Sequence, residues 1–385
     1  MKIHWCGTGL SAVPGLRRLL IGNYPVVVWN RTVSKAQAEV GDLTGDIRAF
    51  SLDAVAEALE PGDIAVSMLP ADMHVPLAMA CLDKGAHFVS SSYVSPEMAA
   101  LDAAAKDKGL SFVNEVGLDP GIDHVLADDL VARLKESGPG NGAKVSFTSY
   151  CGGFPKVPND FRYKFSWSPL GVLKALRSPS KSLKGGEVFD VARPWDAITR
   201  YANPLPGGEV FEAYPNRDSL PFIAQYRFDP DWEVQDFVRG TLRLDGWSQA
   251  WADLFREVET LQGAEGDARL REISEALWKD HAYDPGEADR VVMFVRLTAM
   301  QDGATVFDQA WAMDASGKPD GSAMGKLVSI TVALAVESLV AARLAPGVVT
   351  ASNAADELFE EDIRREVIAE VETLCDTLER IDFLA

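Results

Sequence analysis

Near its start the chain reads Cys6-Gly7-Thr8-Gly9-Leu10-Ser11-Ala12, which places Gly7, Gly9 and Ala12 in the order Gly-x-Gly-x-x-Ala. The first glycine permits a tight turn, the second lets the main chain approach a pyrophosphate, and a small third residue lets helix pack closely on strand. Unpaired N–H groups at the start of the next helix, together with the helix dipole, would face the anion. Gly7, Thr8, Gly9, Leu10 and Ser11 are therefore the expected contacts of a dinucleotide. The alternative is an ordinary tight turn. Position favours the dinucleotide, because the turn follows a strand, opens a helix and begins a βαβ unit.

The end of the next strand selects the cofactor. Enzymes that use NAD usually place Asp or Glu there for the ribose 2′-hydroxyl. This chain has Trp29-Asn30-Arg31-Thr32, with Ser34 and Lys35 close behind. Arg31 and Lys35 can neutralise a 2′-phosphate, and Asn30 and Thr32 can hydrogen-bond it. NADP(H) is the expected cofactor; the alternative leaves Arg31 a solvated loop residue.

The elements that must position these residues alternate. Strands are expected at Lys2–Cys6, Val26–Trp29, Ile64–Leu69, His87–Ser91 and Leu110–Asn114. Helices are expected at Ser11–Leu20, from Val33, at Val75–Lys84 and at Pro96–Lys108. Alternation of this kind predicts an α/β fold, a doubly wound parallel sheet with helices on both faces. After Pro120 the character changes. A helix over Ile122–Lys135 and a linker at Ser137–Gly142 lead to strand-like runs at Lys144–Tyr150, Phe237–Leu244, Arg290–Ala299 and Val306–Ala312. These lack regular intervening helices and predict a second α+β domain on a mostly antiparallel sheet. Gln262–Asp289 reads as a polar, helix-compatible surface excursion, and Pro155–Arg200 resists assignment. Helices near Met324–Ala342 and Ala354–Leu378 close the chain. The expected domains are 1–120, 121–320 and 321–385, the last a set of C-terminal helices packing back on the first.

Composition sets outer bounds. The 385 residues are 47% hydrophobic and 24% charged, as expected of a soluble globular chain of two domains. A net charge of −20 argues against nucleic acid and membrane surfaces as partners. It also means that an anionic ligand must be captured by local arginines and main-chain N–H groups. Cys6, Cys81, Cys151 and Cys375 form no CxxC pair, so neither a metal site nor a disulfide framework is expected, and a reducing, cytoplasmic setting fits. No signal peptide is expected in Met1-Lys2-Ile3-His4-Trp5. The most apolar stretch, Leu327–Ala342, is interrupted by Glu337 and reads as too short to span a membrane.

Several further peptides point one way. They are Ser90–Pro96 (Ser-Ser-Ser-Tyr-Val-Ser-Pro) and Asn114–His124 (Asn-Glu-Val-Gly-Leu-Asp-Pro-Gly-Ile-Asp-His). Ser149–Gly153, Tyr163–Ser168, Ala213–Ser219 and Arg239–Arg243 complete the set. Together they resemble the glutamate-forming saccharopine dehydrogenases, also called saccharopine reductases. The resemblance runs from residue 1 to about residue 250; beyond it, Ser322–Lys326 is the main match, and the chain is shorter than typical relatives.

The resemblance implies NADP-linked oxidation of a secondary amine, saccharopine to L-glutamate and aminoadipate semialdehyde or the reverse, and a homodimer. It places Leu118, Asp119 and Pro120 between nicotinamide and substrate, with Asp119 pairing the substrate amine. Asp119 as a helix N-cap is the structural alternative. Ser92 and Tyr93 fall near the nicotinamide ribose and the substrate; Tyr93 either relays a proton or is a packed aromatic. Cys151 falls in the site in a binding or packing role. Arg217 and Arg243 are the expected carboxylate clamps, with Thr241 completing the pocket; a structural ion pair is the alternative for each arginine. His124 is expected to pack or hydrogen-bond within its helix, and Trp247 and Trp251 to line a core or a dimer surface. Two other functions stay open: a dehydrogenase of the same fold acting on another amino-acid or polyamine imine, and a non-catalytic NADP(H)-binding sensor.

Overall fold

The computed structural model describes residues 1–205, 207–353 and 360–385. They form two compact units, Met1–Val125 with Gly325–Leu374, and Leu126–Met324 with Cys375–Ala385.

The first unit is built on β1 (Ile3–Cys6), β2 (Val26–Asn30), β3 (Ile47–Ala49), β4 (Ile64–Ser67), β5 (His87–Ser90), β6 (Ser111–Asn114) and the late strand Gly347–Thr350. The order across the sheet is Gly347–Thr350, β6, β5, β4, β1, β2, β3, with every pair parallel. Both faces are covered, so the strands are apolar runs rather than alternating ones. Trp5, Val28, Val66 and Val113 share one core with Leu16 and Leu19 of the helix Val13–Ile21 and with Val332 and Val336 of the helix Ala323–Val340. Val27, Trp29, Phe88 and Phe112 share the other with Leu77 and Cys81 of the helix His74–Lys84. Strand order reverses between β1 and β4, and open α/β sheets bind ligands at the carboxyl ends of such a pair.

The helix Ala323–Val340 has a mean hydropathy of 1.7 over 18 residues, apolar enough by length and composition to cross a membrane. Leu327, Val332, Ala333 and Val336 are buried in protein instead, which equally accounts for a helix apolar on most sides. The first helix meets it closely. Gly15 N–H donates to Ser329 Oγ at 2.8 Å, and a Cβ on Gly15 would fall 1.8 Å from the Ser329 carbonyl oxygen.

In the second unit, β7 (Lys144–Pro155), β8 (Ser180–Lys184), β9 (Glu187–Val191), β10 (Thr199–Ala202), β11 (Val210–Pro215), β12 (Glu233–Leu244), β13 (Asp289–Gln301) and β14 (Ala304–Ser316) are joined by the strand Thr377–Asp382. The order is β10, β11, β12, β7, β13, β14, Thr377–Asp382. All these pairs are antiparallel except β12 with β7, while β8 and β9 form a hairpin beside β12. One face carries Phe154, Phe211, Leu242 and Phe294. On the other, Tyr214 packs with Tyr163, Trp247 and Trp251, and the two tryptophans are fully buried.

Three expectations change. Gln262–Asp289 is more than a surface excursion: Gly263–His281 is a helix whose Leu270 and Ile273 are buried in the Tyr163–Trp251 cluster. The last helix, expected over Ala354–Leu378, is observed at Glu360–Leu374; residues 354–359 lie outside the described residues. Beyond it the chain turns into the strand Thr377–Asp382, because Thr377 to Asp382 find the open edge of β14. Edge pairing there overrides a continuing helical pattern.

Candidate active site

The glycine turn has the shape a dinucleotide requires. Gly7 sits at φ +107°, and a Cβ there would come within 2.5 Å of the Met68 carbonyl oxygen of the neighbouring chain segment. Gly9 is exposed, with nothing within 4 Å of the place a Cβ would occupy, so its backbone faces open space where a pyrophosphate fits. Ala12 is buried under the first helix, Leu10 is exposed and Ser11 half-buried. Asn30 fastens the turn to the tip of β2: its Oδ1 accepts Thr8 N–H at 3.2 Å, and its Nδ2 donates to the Thr32 carbonyl at 2.8 Å. Its oxygen and one Nδ2 hydrogen are thus engaged by main chain, and the second Nδ2 hydrogen is left for a ligand. Arg31, Thr32 and Lys35 face solvent beside it, and among the described residues neither cation forms an ion pair.

Two loops leave the carboxyl ends of β5 and β6 and hold each other. The Ser92 carbonyl accepts Glu115 N–H at 3.1 Å, and Glu115 Oε1 accepts Val94 N–H at 3.0 Å. Tyr93, between them, donates its hydroxyl to Asp119 Oδ1 at 2.9 Å. The Asp119 loop closes through Gly117 N–H to the Pro120 carbonyl (2.9 Å) and Ile122 N–H to the Gly117 carbonyl (3.0 Å). Gly121 lies at φ +147°, where a Cβ would sit 2.2 Å from the Gly117 oxygen, so only glycine closes this loop. Leu118 is buried behind it, and the Asp119–Pro120 peptide is cis.

Beneath the loops lies a buried cluster that sequence reasoning did not assign to the site. His124 Nε2 is 3.0 Å from Glu115 Oε2 and its Nδ1 is 3.4 Å from Asp123 Oδ2, while Asp123 Oδ1 accepts Gly121 N–H at 2.7 Å. Glu115 and Asp123 thus brace the backbone on either side of the Tyr93–Asp119 bond. His74 was also missed. Its Nδ1 lies 2.7 Å from Ser67 Oγ and its Nε2 2.8 Å from Ser92 Oγ. Burial pushes His74 down to about 4, so the ring is neutral near pH 7. No local spacing signals it, since Ser92 is 18 residues away on another element.

In the second unit the sheet register gathers polar side chains around a buried arginine. Thr241 of β12 stands opposite Tyr214 of β11 on one side and Cys151 of β7 on the other. Arg243, two residues on, shares their face. Its side chain is buried, with the guanidinium carbon 5.0 Å from the Tyr163 ring centre, 5.3 Å from Trp247 and 5.6 Å from Tyr214. Nη1 donates to the Leu242 carbonyl at 3.1 Å; among the described residues Arg243 forms no ion pair and its Nε has no acceptor. Glu212 stands directly across in register, but its carboxylate is engaged elsewhere. It accepts Gly246 N–H (3.0 Å), Ser248 N–H (2.7 Å) and Ser248 Oγ (3.0 Å). Burial raises the Tyr214 pKa, so this residue, bonded to Thr241 and Arg243, remains a phenol. A structural ion pair is therefore not what holds Arg243. Arg217 stands apart from this row, exposed at φ +56° in the turn after β11, with its carbonyl accepting Lys181 N–H at 2.8 Å.

A parallel sheet with a phosphate-ready glycine turn, followed by a second unit with a buried arginine, defines a dinucleotide-binding protein of the two-unit Rossmann class. Residues 7–113 match the family model of the saccharopine dehydrogenase NADP binding domain, and residues 117–373 that of the saccharopine dehydrogenase C-terminal domain. The chain belongs to the saccharopine dehydrogenase family, and its first unit carries that family's NADP-binding domain.

It is 38% identical over 250 residues to the saccharopine dehydrogenase [NADP(+), L-glutamate-forming] of Pyricularia oryzae, covering 63% of this chain and 54% of the relative. Over 260 residues it is 36% identical to the mitochondrial alpha-aminoadipic semialdehyde synthase of Rattus norvegicus, covering 65% of this chain and 27% of the relative. The chain therefore spans about half the length of the first of these and less of the second. Among solved structures, apo saccharopine dehydrogenase (L-Glu forming) from Saccharomyces cerevisiae superposes with a TM-score of 0.79 at 24% identity, covering 99% of each chain. Homospermidine synthase from Legionella pneumophila superposes with a TM-score of 0.63 at 12% identity, covering 99% of this chain and 91% of that one. These two likenesses concern the fold.

Proposed function

We propose that this chain is an NADP-dependent oxidoreductase acting on the CH–NH group of saccharopine, interconverting it with L-glutamate and aminoadipate semialdehyde in lysine metabolism. The observation that carries the substrate class is Arg243. A cation buried without a carboxylate partner is costly; aromatic faces offset part of that cost, and a bound carboxylate would offset the rest with charge-assisted hydrogen bonds. Saccharopine offers three carboxylates. A polyamine imine offers only cations, so Arg243 argues against that alternative. A sensor would have no need of the Tyr93–Asp119 pair.

The NADP(H) held at the glycine turn supplies hydride acceptance or donation. The chain's own residues bind and orient. Gly7 to Ser11 take the pyrophosphate, and Asn30, Arg31, Thr32 and Lys35 take the 2′-phosphate. Arg243, Thr241 and Arg217 take carboxylates, and Cys151 packs beside Thr241. Asp119, with Tyr93 hydrogen-bonded to it, holds the substrate amine.

The test follows absorbance of reduced nicotinamide with saccharopine and NADP, then with NAD. Reduction of NADP alone, lost on Arg217→Ala or Asp119→Ala, is the expected result. Tight NADPH binding without any turnover of saccharopine in either direction would overturn the substrate.

A further inference from the structure

The Ser67–His74–Ser92 chain has a direction that can be read from its buried end. Ser67 Oγ is fully buried at the carboxyl end of β4, and its hydrogen bond is the one to His74 Nδ1 at 2.7 Å. Nothing else among the described residues bonds that hydroxyl. A buried hydroxyl that only accepted would leave its O–H without an acceptor, and unmade donors are rarer in protein interiors than unused lone pairs. Ser67 therefore donates to Nδ1. A neutral imidazole carries one proton, so it resides on Nε2 and is donated to Ser92 Oγ, 2.8 Å away. Burial holds the ring in its neutral form, with a pKa of about 4.

The rest of Ser92 is already committed: its N–H donates to Ser90 Oγ at 3.0 Å and its carbonyl accepts Glu115 N–H at 3.1 Å. Its hydroxyl proton remains, on a half-buried side chain next to Tyr93. The chain is no proton wire, because its inner end stops at a buried serine.

We propose that His74, held as its Nε2–H tautomer by Ser67, is a positioning residue that turns Ser92 into a one-way donor aimed at a ligand oxygen. This rests on the NADP-linked reading above for the ligand's identity, but not for the direction of the bonds. Two oxygens share the required chemistry, a carbonyl or ribose oxygen of the nicotinamide half of NADP(H), and a carboxylate of the amino-acid substrate.

The experiment has two parts. Nitrogen NMR of histidine-labelled protein, assigned with His74→Gln, reads the tautomer: the proposal requires an unprotonated Nδ1 and a protonated Nε2 at pH 7. Titration with NADPH by fluorescence, and KM measured for L-glutamate in the reductive direction, then read the ligand for Ser92→Ala, Ser67→Ala and the double variant. Each single variant is expected to weaken one of these ligands about three- to tenfold, as for one neutral hydrogen bond. The double variant should be no weaker than Ser92→Ala alone. A loss in NADPH binding names the dinucleotide oxygen; a loss confined to glutamate names the carboxylate. An Nδ1–H tautomer, additive losses, or a Ser67→Ala protein that binds both ligands normally would overturn the proposal. Failure of saccharopine turnover would leave the tautomer and NADPH arms intact, so the two readings fail separately.

Discussion

The two units build their sites from different material. In the first, the proposed site is mostly main chain and short side chains at strand ends: the open backbone at Gly9, the Gly117–Gly121 loop, and Ser92 beside His74. In the second, the proposed site centres on a long side chain on a strand face, Arg243, walled by Tyr163, Tyr214 and Trp247. Backbone sites work by shape and carry little desolvation cost, because solvent satisfies exposed N–H groups. A guanidinium buried among aromatic rings carries a desolvation cost. The second unit should therefore be tuned for binding at the expense of stability, and the first should not.

Arg243→Met breaks that comparison most sharply. Truncating one member of a buried, hydrogen-bonded charge pair costs ~2–5 kcal/mol of binding. KM for the carboxylate substrate should rise about a hundredfold or more, while NADPH affinity stays unchanged. Without substrate, the variant should melt at the same temperature as the parent or higher, because the lone buried charge is gone. A fall of several degrees in Tm with KM unmoved would mean that Arg243 is a structural residue after all.

This contrast also explains what could be read in advance. Gly7, Gly9 and Ala12 act within one turn, so their spacing carries their meaning. Arg243 was legible as a residue through its peptide, but its aromatic cage joins Tyr163, Tyr214 and Trp247 from separate segments, and Glu212's engagement with Gly246 and Ser248 is a tertiary fact. Gly15 looks like a poor helix residue until Ser329 arrives 314 positions later. His74 reads as a helix start, and only the adjacency of β4 and β5 brings Ser67 and Ser92 to its two nitrogens. The strand Gly347–Thr350 is not legible in the sequence, because four residues among helices carry too little pattern; it is defined by its pairing with β6. Strands β1, β2, β4, β5 and β6, by contrast, are visible because burial on both faces makes each a short apolar run; β3, three residues of which two are exposed, is not.

Acid should separate the units next. His74 moves from 6.5 to about 4 on folding, and His4 and His87 in the same unit are also lowered by burial. The second unit has one histidine shifted in this way, His281, also lowered by burial. Between pH 6.5 and 4 the unfolded chain takes up a proton that folded His74 refuses, so stability rises with pH across that window. The contribution is intact above 6.5 and lost as pH falls through about 4, an effect of about 3 kcal/mol for His74. Hydrogen exchange followed from pH 7 down to about pH 4.5, corrected for intrinsic rates, should show β4, β5 and β6 losing protection before β7 and β13. Simultaneous loss, or the mixed sheet opening first, would contradict it, and His74→Gln should flatten the dependence in the first unit.

The smallest effect is expected at the tip of β2, where the proposed 2′-phosphate contacts include charge. Arg31 and Lys35 are exposed, and among the described residues neither is paired, so no buried desolvation stands behind them. An exposed ion pair contributes up to ~1 kcal/mol, and salt screens it. Arg31→Ser should therefore weaken NADPH about fivefold, leave NADH binding unchanged, and lose most of its effect in high salt. The same salt should leave the Arg243-dependent KM nearly untouched, since a buried pair is screened far less. Equal losses for NADPH and NADH would remove Arg31 from the 2′-phosphate and leave the phosphate to Asn30, Thr32 and Lys35.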